Sequence, residues 1–172
     1  AVADFIACLE RVCRDRGLPE DTTAFWVCAY ALRQHHLDAE LAAGAGVDES
    51  PFIRALLIAD GAVSIVDARG VYFSRAWCLL ELYEALVADR PAFTHDVATA
   101  TPGLVGPRGQ RVPAVCLLEG FGERDMGQAQ AKARREADFP PSVSAAARTF
   151  ALSAAQASDA RDLAAILEAV DA

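Results

Sequence analysis

The feature that most constrains this sequence is a strongly apolar segment, residues 74–86, with the composition of a helix. Ser74 is a suitable N-cap, and the residues after it are mostly good helix formers without Gly or Pro. Because apolar residues cover nearly the whole circumference, we expect the helix to be buried on more than one side. Such a helix needs packing partners in more than one layer of the fold.

One carboxylate, Glu81, lies within this apolar helix. At about 100° per residue it shares a stripe with three small residues, Ser74, Cys78 and Ala85. Trp77 lies one turn before it. The helix therefore places an acidic group among small and aromatic side chains, which makes Glu81 the first candidate for a functional residue.

Two buried strands are predicted before this helix. The continuous apolar run at residues 24–31 suits a central strand covered on both faces. Ser50 and Pro51 form the start signal of a helix that runs through Ala59, and residues 62–66 have the pattern of a second buried strand. Strands that alternate with helices are typical of crossovers around a parallel sheet.

Weaker strand signals follow the helix. Residues 93–100 and 112–118 are candidate strands, and the early Pro113 places the second at a strand start or a sheet edge. Further helices are predicted at residues 3–16, 126–138, 142–149 and 159–170. We therefore predict a single α/β domain over residues 1–172, with three layers. In it, helices flank a mostly parallel sheet of about 4–5 strands, as in flavodoxin-like folds.

Charge and hydropathy exclude two classes of partner. The net charge of −8 and the pI near 4.8 argue against binding to nucleic acid or to an anionic membrane surface. Hydrophobic residues make up 53% of the chain, yet no run approaches the roughly 18–20 apolar residues that span a bilayer. We expect a soluble protein with no nucleic-acid partner and no membrane insertion.

The five cysteines have the pattern of small hydrophobic residues. Their number is odd and they are widely spaced, which is typical of a reducing, intracellular compartment. We expect the cytoplasm; the chain starts at Ala1 without Met, which fits a fragment or a processed product and leaves import into an organelle open. No Cys-x-x-Cys pair occurs, and His35, His36 and His95 do not complete a ligand set, so we expect no metal and no cofactor.

The order of elements and the residues of the apolar helix resemble a known family. The segment Ser74-Arg75-Ala76-Trp77-Cys78-Leu79-Leu80-Glu81-Leu82 follows the strand at residues 62–66. It resembles the Ser-x-Trp-Cys-x-x-Glu-Leu segment of plant-type Toll/interleukin-1 receptor (TIR) domains, with one extra residue between Ser74 and Trp77. It is more similar still to TIR-like domains of uncharacterised algal and protist proteins, which carry an Arg-Ala-Trp-Cys-Leu-x-Glu helix.

Those algal and protist domains also carry an earlier Trp-x-Asp-x-x-x-x-Asn-Gln-His strand end, which Trp26, Gln34 and His35 match here. Two positions depart from it, because Cys28 stands where the pattern has Asp and Arg33 where it has Asn. The TIR opening, an arginine followed by glycine, is missing. The likeness is best over residues 24–90 and looser elsewhere.

The resemblance implies two functions of different classes. The first is a TIR-like interaction or assembly module without retained catalysis, which binds a protein partner or a second copy; the lost Asp and Asn favour it. The second is an NAD glycohydrolase, in which Glu81 corresponds to the catalytic glutamate and NAD is the substrate. A carboxylate near the ribose stabilises an oxocarbenium-like state as the nicotinamide-ribose bond breaks.

The resemblance also implies a pocket around Glu81. Trp77 would shape its wall, and the other lining residues would be Tyr30, Arg33, Gln34 and Ser74. The structural alternatives stay open: Glu81 is then bonded to a loop amide or to Arg33 or Arg75, and Trp77 is a core anchor. A direct view of the surroundings of Glu81 distinguishes these readings.

Overall fold

The computed structural model describes residues 2–32, 35, 46–87, 93–100, 113–118, 137, 139–157 and 159–171. The described helices are α1 (Val2–Arg16), α2 (Cys28–Ala31), α3 (Pro51–Ile58), α4 (Ala76–Val87), α5 (Pro141–Thr149) and α6 (Ala160–Asp171). The described strands are β1 (Gly61–Ile65), β2 (Thr94–Thr99) and β3 (Ala114–Leu118). Short 3₁₀ turns occur at Val47–Glu49, Val71–Ser74 and Leu152–Ala154.

The described strands form one sheet in the order β1-β2-β3. Strands β1 and β2 are parallel, with Gly61 opposite Thr94, and α4 lies between them in the chain, so this part of the predicted parallel sheet is confirmed. The crossover predicted from a strand at residues 24–31 to β1 is wrong, because that segment is not a strand. Strand β3 is antiparallel to β2, with His95 opposite Leu118. The segment between β2 and β3 is rich in Gly and Pro, and residues 101–112 of it lie outside the described residues.

The α/β class is confirmed, but the predicted size of the sheet is not. The described part of the chain has three strands rather than four or five, and one of the two strand pairs is antiparallel. The predicted helix at residues 126–138 lies almost entirely outside the described residues. Within the described residues, no helix is long and apolar enough to cross a membrane.

The prediction of a central strand at residues 24–31 is wrong. The segment instead makes the short helix α2, in which the amides of Tyr30 and Ala31 both donate to the carbonyl of Val27. Its aromatic residues lie at the surface, with Trp26 45% and Tyr30 70% exposed. A short apolar run has no periodicity that separates strand from helix, and here it packs beside α3 instead of entering the sheet.

Each face of the sheet is covered by a different element. Helix α1 packs on one face, where Cys8 and Val12 form a core cluster with Ala98 and with Val63 and Ile65 of β1. Side chains alternate along a strand, so Ser64 points to the other face. There it contacts the 3₁₀ turn that precedes α4.

The apolar helix predicted at residues 74–86 is confirmed as α4. It buries Ala76, Leu79, Leu80 and Ala85, and three of these belong to a core cluster with Ile53 of α3 and Ile166 of α6. The helix begins at Ala76 rather than after an N-cap at Ser74. The Ser74 hydroxyl donates to the Val71 carbonyl, and the Ala76 amide donates to the carbonyl of Gln156.

Candidate functional site

Glu81 lies in the second turn of α4. It is the sixth residue of the helix, about 7.5 Å along the helix axis from Ala76. Strand β1 leads into α4 through a short loop and one 3₁₀ turn, so this end of the helix lies close to the carboxyl end of β1. In α/β sheets that rim is where ligands commonly bind.

The surroundings of Glu81 raise its pKa. Burial raises the pKa of the Glu81 carboxyl from 4.5 to about 7, and the positive charge of Arg75 offsets part of this effect. The side chain is partly buried, and it has no hydrogen bond or ion pair with another described residue. Near neutral pH the carboxyl is therefore close to half ionised, as a group that exchanges protons or charge during a reaction would be.

Two thiols and a phenol are close enough to Glu81 to feel its charge. Burial, and after it the Glu81 charge, raises the pKa of the Cys28 thiol and raises that of Cys78 to about 11. Burial also raises the pKa of Tyr72, with smaller contributions from Cys78 and Glu81. The thiols are therefore protonated near neutral pH, which makes them packing groups rather than nucleophiles.

Two arginines, Arg75 and Arg33, were named as possible structural partners of Glu81, and the structure describes only Arg75. Arg75 is exposed and acts on Glu81 through its charge, and no direct ion pair joins them among the described residues. Arg33 lies outside the described residues, as does Gln34. The proposed roles of Arg33 and Gln34 therefore stay predictions.

Trp77 is a packing anchor. Its indole Nε1 donates to Asp162 Oδ2 of α6 at 3.2 Å. Its ring lies 4.9 Å from the ring of Phe52 in α3, and Phe52 in turn lies 5.9 Å from Trp26. Trp77 thus joins α4 to α3 and α6, which supports the core-anchor alternative rather than a pocket wall.

Two other predicted pocket residues are at the surface. Ser74 is exposed and its hydroxyl is used in the preceding 3₁₀ turn. Tyr30 is 70% exposed in α2, and the thiol of Cys28 at the start of that helix feels the Glu81 charge. The structure therefore gathers Cys28, Cys78, Tyr72 and Arg75 around Glu81.

Sequence reasoning named Arg75 as a possible partner of Glu81 but missed Tyr72 as its neighbour. The Tyr72 side chain is partly buried. Its hydroxyl donates to the Cys78 carbonyl at 3.0 Å. The sequence carries one signal for Tyr72. A Tyr shortly before an apolar helix has a hydroxyl that needs a hydrogen-bond partner when its ring is buried. Among the described residues, no three side chains of His, Cys, Asp or Glu converge as metal ligands.

Comparisons with family models, curated proteins and solved structures each gave no match.

Proposed function

We propose that this chain is a TIR-like protein-interaction or assembly module. One observation carries this proposal: large apolar side chains are exposed on two adjoining elements, the segment around α2 and the end of α3. These residues are Phe25, Trp26, Tyr30, Leu57 and Ile58, which we call the α2–α3 surface. Where such exposed apolar residues form one patch, they are typical of protein-binding sites.

The α2–α3 surface has the composition of an interface core. Ile58 is 88% and Leu57 is 63% exposed, and Trp26 connects α2 to α3 through its edge-to-face contact with Phe52. Aromatic residues are enriched in interfaces, where they supply much of the binding free energy. The proposal therefore assigns Leu57 and Ile58 to the contact, together with the exposed aromatic residues of the α2 segment.

The double variant Leu57→Ser/Ile58→Ser should weaken self-association of the chain at least about tenfold. Both side chains are exposed, so the variant should keep the folded structure and its thermal midpoint. Sedimentation velocity over a range of protein concentrations measures the effect. Because the net charge of −8 makes copies repel one another, association of the wild type should strengthen as ionic strength rises.

A matched control changes two exposed apolar residues elsewhere. Val2 and Ile6 lie one helical turn apart on α1, away from the α2–α3 surface. Val2→Ser/Ile6→Ser should associate like the wild type. If both double variants behave alike, or if the wild type stays monomeric at every concentration and salt, the self-assembly form of the proposal is wrong.

A second candidate function is NAD glycohydrolysis, and the state of Glu81 favours it. The carboxylate has no ion-pair partner among the described residues, and burial raises its pKa to about 7. An uncompensated carboxylate attracts a developing positive charge more strongly than a paired one does. The ribose of NAD acquires such a charge as nicotinamide leaves, before water adds to give ADP-ribose and a proton.

Glu81→Gln should then lower the rate of nicotinamide release about a hundredfold or more, while Glu84→Gln, one turn further along α4, should leave it unchanged. The wild-type rate should rise with pH through about pH 7, because ionisation of Glu81 produces the active form. Chromatographic measurement of nicotinamide checks both effects. Equal release by the wild type and Glu81→Gln would remove this candidate and leave the interaction module.

A further inference from the structure

A series of three hydrogen bonds, one buried and two partly buried, connects α4 with the centre of the sheet. The Tyr72 hydroxyl donates to the Cys78 carbonyl of α4 at 3.0 Å. The Ser64 hydroxyl of β1 lies 2.7 Å from the Tyr72 oxygen and 2.9 Å from Nε2 of His95 in β2. Ser64 and His95 are both buried, at 6% and 5% exposed.

The donor and the acceptor of each of these three hydrogen bonds follow from the group at the end of the series, the Cys78 carbonyl. A carbonyl only accepts, so Tyr72 must use its single proton on Cys78. The Tyr72 oxygen then accepts the single proton of Ser64, and the Ser64 oxygen must accept from His95. Neutral His95 therefore carries its proton on Nε2, and Nδ1 bears a lone pair.

Nδ1 of His95 is buried and has no hydrogen-bond partner among the described residues. A proton added there would create a charged ring whose new N–H donor lacks an acceptor from these residues. Both consequences are unfavourable, since a buried unsatisfied donor and a buried charge each cost free energy. Burial accordingly lowers the pKa of His95, with a smaller opposing effect from Asp96.

We propose that His95 is an acid-sensitive latch that holds α4 to the sheet through Ser64 and Tyr72 while the ring is neutral. When Nδ1 takes a proton, the ring turns toward solvent or toward a new acceptor, and the bond from Nε2 to Ser64 breaks. Tyr72 and Cys78 then lose their link to β2, and α4 loosens. This latch goes beyond the proposed function, because it needs neither a partner nor NAD.

The ionisable groups around the latch in the described part of the chain are few. Asp96, next along β2, points to the opposite face and pairs with Arg16. Strand β1 contributes none, and β3 contributes only Cys116 by sequence. The turn before α4 contributes Tyr72, and α4 contributes Cys78, Glu81, Tyr83 and Glu84. Of these, Glu81 acts on Tyr72 through its charge.

The tautomer of His95 tests the geometry directly in the wild-type protein. Imidazole ¹⁵N spectra near neutral pH should show a protonated Nε2 and an unprotonated Nδ1 for His95. The opposite tautomer would overturn the proposal, because Nε2 of His95 would then have no proton to donate to the Ser64 hydroxyl.

His95→Gln tests the latch itself. Its amide can still donate to Ser64 but cannot be protonated. Below about pH 6.5, where unfolded histidine gains a proton, the unfolding constant of the wild type should rise relative to that of His95→Gln by up to about tenfold per pH unit. The comparison cancels the contribution of Glu81, because both proteins carry it. His35→Gln, which changes an exposed histidine, is the control and should behave like the wild type.

Hydrogen exchange of the backbone amides shows which helix loosens when the pH falls. In the wild type, α4 amides should lose protection on acidification before those of α1, and in His95→Gln the two helices should keep their relative protection. Parallel loss in both helices of the wild type, or an acid response of His95→Gln equal to that of the wild type, would overturn the latch.

Discussion

Asp96→Ala should destabilise the fold by about 3–5 kcal/mol. Asp96 of β2 pairs with Arg16 at the end of α1 through two contacts, Nε to Oδ2 at 3.0 Å and Nη2 to Oδ1 at 2.5 Å. The Asp96 side chain is only 2% exposed and that of Arg16 17%. Removal of the carboxylate takes two short charge-assisted contacts away from a guanidinium in a largely buried position, and this loss accounts for most of the destabilisation. Urea unfolding measures it.

Two comparisons separate the buried pair from ordinary surface charge. Asp15 of α1 also pairs with an arginine, Arg11, at 2.7 Å, but both side chains are more exposed. Asp15→Ala should therefore change the free energy of unfolding by less than about 1 kcal/mol. The double variant Arg16→Met/Asp96→Ala should be more stable than Asp96→Ala alone, because no charge remains buried. If the single and double variants are equally unstable, the loss comes from packing and not from charge.

Glu81→Gln should stabilise the protein by roughly 2–3 kcal/mol above pH 7. Burial raises the pKa of Glu81 from 4.5 to about 7, so between these values the folded state binds more protons than the unfolded state. The free energy of unfolding of the wild type therefore falls as pH rises through this window. Above pH 7 the folded state carries an ionised, poorly solvated carboxylate, and the neutral amide of Gln removes that cost.

The measurement is the difference in unfolding free energy between the wild type and Glu81→Gln at several pH values. The difference should be small near pH 4 and should reach its plateau above pH 7. A Glu81→Gln variant that is less stable than the wild type at pH 8 would mean that the ionised carboxylate has a stabilising partner. A gain in stability combined with lost NAD cleavage would be a stability–activity trade-off at this residue.

Local patterns predicted most of the elements well. The Ser50 side chain accepts the Ile53 amide, as expected of an N-cap followed by Pro at the first helical position. The strand predicted at residues 62–66 is shifted by one residue, and the strands predicted at 93–100 and 112–118 are confirmed as β2 and β3. In each case the signal is a local preference of the backbone or an apolar run between breakers.

The candidate site was only partly predictable. The pattern of α4 identified Glu81 as a carboxylate on an apolar helix, and the structure places it there with a raised pKa. Trp77 was assigned to the pocket wall or to the core, and its hydrogen bond to Asp162, 85 residues away, supports the core assignment. The TIR-like kinship and the catalytic role of Glu81 stay predictions.

The sequence by itself determined the type and approximate position of most helices and strands, because capping residues, Pro, Gly and apolar periodicity act over a few residues. Only the tertiary structure decided which polar groups meet. The Arg16–Asp96 pair joins residues 80 apart, and Ser64 meets His95 across 31 residues. The tertiary structure also decided that residues 24–31 pack on α3 and end in a short exposed helix. A short apolar run has no periodicity that separates strand from helix, so its contacts in the fold decide between them.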